Sequence, residues 1–63
     1  MTTQWRHKKR GTTYMELGRG RMQVDGPLDM VEVVIYQSTD EDASIWVRPL
    51  SEFMDGRFEA IEP

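Results

Sequence analysis

Cysteine is absent from the chain and histidine occurs once, at position 7. Without thiols there is no disulfide, no thiolate metal site and no cysteine nucleophile. A Ser/His/Asp arrangement would have His7 as its only base, and no nucleophile motif accompanies it. His7 also stands in a cationic run, where neighbouring positive charge disfavours its protonated form. These absences predict a protein that is not an enzyme. A metal would need an all-carboxylate site. Asp40, Glu41 and Asp42 are consecutive and lack the alternation and glycine of a calcium loop. They read as a solvated hairpin tip, and no metal or cofactor is expected.

Long apolar runs are missing too. Nothing approaches the roughly 18 residues of a membrane span, and the opening MTTQWRHKKR is not followed by the apolar segment of a signal peptide. The expectation is a cytoplasmic protein with no membrane association. The sequence GRGR at positions 18–21 has two glycines but no helix-forming run behind it to present an N-terminus to phosphate. It reads as a bend in a sheet.

What the chain does have is an uneven distribution of charge. Its net charge is −3 over 63 residues. Residues 1–24 carry Arg6, Lys8, Lys9, Arg10, Arg19 and Arg21 against Glu16, a balance of +5, while residues 25–63 carry Arg48 and Arg57 against ten acids, a balance of −8. Such asymmetry points to an anionic partner for the basic end, or to pairing of the two halves in the fold. The length allows one domain, residues 1–63, near the lower limit of independent stability. Residues 1–11 read as a basic N-terminal arm of that domain.

The rest of the pattern is that of strands. Thr13, Met15 and Leu17 alternate with Tyr14 and Glu16, a period of two, and Gly18 and Gly20 suggest a bulge or bend. Asp25-Gly26-Pro27 marks a loop. MVEVVIYQ at 30–37 is the strongest strand, with Val31, Val33 and Ile35 on the face expected to be buried. STDEDAS at 38–44 reads as a hairpin loop, and Ile45–Arg48 as the next strand, stopped by Pro49. A single 3₁₀ turn over PLSEF and a last strand after Asp55-Gly56 complete the series. Val31, Val33, Ile35, Ile45, Val47, Phe53 and Phe58 are the expected core. Met15 and Met22 read as packed and Met54 as exposed. The predicted fold is all-β: a small, strongly bent, SH3-like antiparallel barrel of four or five strands with one 3₁₀ turn.

Two groups of residues carry the functional signal. In QWRHKKR at 4–10, Trp5 lies beside Arg6, His7, Lys8, Lys9 and Arg10. Aromatic faces stack bases and cations neutralise phosphates; the structural alternative is a solubilising arm with Trp5 as a lid on the domain. Trp46 and Arg48 share a strand face, with Tyr36 able to join them and Tyr14 to extend the wall. They suit a cation–π stack or an interface, unless Trp46 packs inward and Arg48 pairs with Glu52 or Asp55. The expected function is a non-enzymatic binding module for an anionic or nucleotide-containing ligand. The main rival is a protein–protein adaptor or inhibitor acting through Asp40–Asp42; a homo-oligomer with a self-complementary face is a third reading.

Arg6-His7, Lys9-Arg10-Gly11, Tyr14, Val34-Ile35-Tyr36, Ile45-Trp46-Val47-Arg48-Pro49 and Phe53 together resemble a family of short bacterial and bacteriophage proteins of unknown function. The resemblance covers residues 5 to 58, and the Trp-Val-Arg-Pro segment is its most specific part. It implies a compact SH3-like barrel and allows a phage accessory or counter-defence role. The chain departs from the family pattern at residues 22–27, Met-Gln-Val-Asp-Gly-Pro, where a His-Ser-Glu-like segment would be expected.

Overall fold

The computed structural model describes residues 3–61. Five strands and one helical turn follow in the order β1 (Gln4–His7), β2 (Thr13–Arg21), β3 (Glu32–Ser38), β4 (Ile45–Pro49), α1 (Leu50–Phe53) and β5 (Phe58–Ile61). All pairings are antiparallel, in the spatial order β4-β3-β2-β1-β5. The all-β class is as expected. The sheet is not closed into a barrel: β4 and β5 are its two edges. The connection through α1 carries the chain from one edge to the other.

The N-terminal segment departs from the arm expected of residues 1–11. Gln4–His7 is a strand inside the sheet, flanked by β2 and β5, with Trp5 opposite both Tyr14 and Ala60. The first two residues of that segment lie outside the described range. The bulge expected near Gly18 is present: the β2–β3 register shifts between Glu16 and Gly18, leaving Leu17 as the extra residue. The turn at Leu50–Phe53 is α-helical rather than 3₁₀, since the Met54 amide donates to the Leu50 carbonyl four residues back at 2.9 Å.

The largest correction concerns which face is buried. The core consists of Trp5, Tyr14, Val34, Tyr36, Phe53 and Phe58, with Leu50 packed against it. Val34 and Phe53 are fully buried. Val34 and Tyr36, on the face opposite the one expected, point into this cluster, whereas Ile45 and Val47 are 61% and 55% exposed. Of the expected core, Phe53, Phe58 and Val33 are buried. Val31 and Ile35 are half-buried. Met15 is exposed rather than packed, and Met22 half-buried, while Met54 is exposed as expected. Aromatic rings decide the choice, because each buries more apolar area than an aliphatic side chain. Phe53 and Phe58 stack with centroids 4.3 Å apart, and Trp5 meets Phe53 edge-on at 5.0 Å.

Candidate functional site

The basic run forms the tight connection between β1 and β2. The Gly11 amide donates to the His7 carbonyl at 2.7 Å and the His7 amide to the Thr12 carbonyl at 2.9 Å. Gly11 has φ 75°, a left-handed conformation that glycine adopts without steric cost. The Lys8 amide donates to the Arg57 carbonyl at 2.9 Å, so the segment leading into β5 lies against this loop. Lys8, Lys9 and Arg10 are therefore presented by an anchored loop.

Two adjoining hollows open beside it. The larger, of about 600 Å3, is lined by His7, Lys8, Lys9, Arg10, Arg48, Gly56 and Arg57. The smaller, of about 180 Å3, is lined by His7, Arg10, Tyr14, Tyr36, Trp46, Arg48 and Phe58. His7, Arg10 and Arg48 belong to both. The smaller hollow takes a side chain from every strand of the sheet. It lies where the two edges approach each other, with the Arg48 guanidinium 5.7 Å from the centre of the Phe58 ring.

The lining of this cleft is cationic. Among the described residues no carboxylate lines either hollow. Among the described residues, Lys8, Lys9, Arg10 and Arg48 make no ion pair, whereas Arg57 holds Asp55 at 3.0 Å and Glu52 at 3.8 Å. The Arg48 Nη1 atom is buried without a hydrogen-bond partner. A buried donor left unsatisfied in this way costs free energy, and an oxygen ligand would relieve it. The pKa of His7 is lowered by partial burial and by the charges of Arg10, Arg48, Arg57 and Lys9. Its Nδ1 accepts the Arg10 amide at 3.2 Å, which leaves Nε2 as the protonated nitrogen of the neutral ring. Burial raises the pKa of Tyr36, against the opposing effect of Arg48, so its phenol is neutral.

A family model described as protein of unknown function (DUF1653) matches residues 3–60. The chain belongs to the DUF1653 family. No curated protein and no solved structure matches it. The expected membership of a family of unknown function is thereby shown, over nearly the same residues as the resemblance noted above.

In this DUF1653 chain, eight of the ten residues singled out from the sequence line the cleft: His7, Lys8, Lys9, Arg10, Tyr14, Tyr36, Trp46 and Arg48. The other two do not. Trp5 is buried in the core, and its Nε1 donates to Glu16 Oε1 at 3.1 Å. Arg6 is tied to Glu59 on the opposite face of the sheet. Trp46 does not pack inward; it is 49% exposed, with its Nε1 donating to Ser38 Oγ at 3.1 Å. Arg57 and Phe58 complete the cleft and were missed. The Asp55-Gly56 turn signal just before them was legible, but not that the turn would bring them back to the basic loop.

The acidic hairpin is organised by its own carboxylates. Asp40 Oδ1 accepts the Asp42 and Ala43 amides at 3.1 and 3.3 Å, and Asp42 accepts the Ser44 hydroxyl. Among the described residues no three His, Cys, Asp or Glu side chains come together as a metal site, and no helix is long and apolar enough to cross a membrane.

Proposed function

We propose that this DUF1653 chain is a non-enzymatic binding module whose cleft takes an anionic ligand. The observation that carries the reading is the unpartnered, buried Nη1 of Arg48 in a cleft lined, among the described residues, by five Lys and Arg side chains and no carboxylate. Such a site holds ready-made, charge-assisted donors for phosphate or carboxylate oxygens. The only histidine, its pKa lowered by partial burial and then by its cationic neighbours, supplies a donor. It does not supply a base poised against a nucleophile.

Calorimetric titration with inorganic phosphate and pyrophosphate at low ionic strength tests the reading. Binding is expected to weaken steeply with salt and to fall in Arg10→Glu and Arg48→Ala variants that keep their circular dichroism. Normal binding by both variants would place the anion elsewhere.

The adaptor reading has weaker support, because Asp40 and Asp42 serve their own turn. It predicts loss of partner capture when Asp40–Asp42 are neutralised, a change that leaves the anion cleft intact. We further read the open five-strand sheet, with one helical turn before the last strand, as related to an SH3-like barrel. An accessory role in the cytoplasm of bacteria or in their phages fits a domain of this size.

A further inference from the structure

Six aromatic residues are present, and they are not equivalent. Trp5, Tyr14, Tyr36, Phe53 and Phe58 each pack against at least one other aromatic ring. Trp46 has no such partner among the described residues. It is half exposed, it is fixed by Ser38, and it walls the smaller hollow. An immobilised indole with an unused face is a stacking platform. The same hollow is too cationic for a quaternary ammonium, the usual guest of an aromatic cage, because Arg10 and Arg48 line it too.

The cations do not form a track. Arg6 and Arg19 are spent on Glu59 and Glu16. Arg21 lines a separate hollow with Met30, Leu50 and Met54. Carboxylates flank the cleft. Glu52 and Asp55 hold Arg57, and the acidic hairpin stands at the same end of the sheet, joined to Thr13 through the Thr39 amide at 3.2 Å. A nucleic-acid strand needs a continuous line of phosphate contacts, and these carboxylates would repel it. The larger hollow, about 600 Å3, is of small-ligand size.

Resting on the anion-binding reading above, we infer that the ligand is a compact phosphate ester carrying one flat ring, of mononucleotide type. The phosphate lies where the hollows meet, on Arg48, Arg10 and the Lys8–Lys9 loop, and the ring stacks on Trp46.

The test is calorimetric titration of the whole chain with inorganic phosphate, ribose 5-phosphate, AMP, UMP and short oligothymidylates of increasing length. Stacking of one base predicts that AMP binds about tenfold to a hundredfold more tightly than ribose 5-phosphate. Trp46→Ala should abolish that difference, and Trp46→Phe should retain most of it. The oligothymidylates should bind no more tightly than UMP. Equal affinity for AMP and ribose 5-phosphate would overturn the ring seat and leave the anion site standing. Affinity that grows with oligothymidylate length would overturn the compact ligand in favour of a strand. Failure of every probe, inorganic phosphate included, would bring down the anion-binding reading beneath it.

Discussion

The guanidinium carbon of Arg48 lies 5.7 Å from the centre of the Phe58 ring, although the two residues belong to opposite edges of an open sheet. No ladder joins those edges among the described residues, yet Arg48 reaches across from β4 to β5 and leaves Nη1 without an acceptor. One side chain thus serves both the seam of the fold and the proposed anion site.

These two roles differ in energetic weight. An Arg–aromatic contact at a partly exposed site is worth about 0.5–1 kcal/mol, whereas a hydrogen bond to a charged group is worth about 1.5–3 kcal/mol. Arg48→Ala should therefore lower unfolding stability by less than about 1 kcal/mol while weakening phosphate binding about tenfold to a hundredfold. Arg48→Lys should recover only part of the binding, since an ammonium cannot present the planar fork. Denaturant unfolding and titration on the same variants separate the two effects. A loss of stability as large as the loss of binding would make Arg48 a structural residue.

Glu16 divides its carboxylate between the Trp5 indole and Arg19, accepting from each at 3.1 Å. The indole N–H is partly buried and has no other hydrogen-bond partner among the described residues, while Arg19 is exposed. Glu16→Gln keeps an acceptor for Trp5 and loses an ion pair worth under about 1 kcal/mol. Glu16→Ala strands the indole at a cost of about 1–3 kcal/mol. Urea unfolding should rank glutamine near wild type and alanine well below it. Equal costs for both would show that the ion pair, not the indole bond, is what matters.

Phe53 is fully buried between Trp5, Tyr36 and Phe58. Phe→Ala in a core costs about 3–5 kcal/mol, and a domain of this length has roughly 3–9 kcal/mol in total. Phe53→Ala should lack a cooperative thermal transition at neutral pH. A well-folded variant melting within a few degrees of wild type would mean that α1 contributes little to the core.

The strand pattern, the bulge near Gly18 and most of the cleft were legible because each is written locally: alternation, glycine, or a run of cations. The buried face was not. In β3 both Val33–Ile35 and Val34–Tyr36 are apolar, so a period of two leaves the choice open. It is made by Trp5, Phe53 and Phe58, which arrive from distant segments on one side. The strand Gln4–His7 was hidden for a similar reason. QWRH is short and polar, and its place depends on pairing with residues at the far end of the chain, such as Arg6 with Glu59.

The pH dependence follows from His7. Its folded pKa is lowered from 6.5 by partial burial and then by Arg10, Arg48, Arg57 and Lys9. The unfolded chain therefore takes up a proton near pH 6.5 that the folded chain refuses until lower pH. Stability from this source is fully present above pH 6.5 and declines as pH falls below it. Because His7 is the only histidine and carboxylates titrate near pH 4, the window between about 5 and 6.5 isolates it. His7→Gln should flatten the stability profile there. A bound sulfate, which has no proton of its own to exchange in this range, offsets the four cations and raises the folded pKa, so sulfate binding should take up protons and strengthen as pH falls through the same window. Titrations at pH 5.5 in two buffers of different ionisation enthalpy report that uptake directly. The same profile in His7→Gln as in wild type would assign the pH dependence to other groups, and absence of proton uptake in wild type would remove the anion from the neighbourhood of His7.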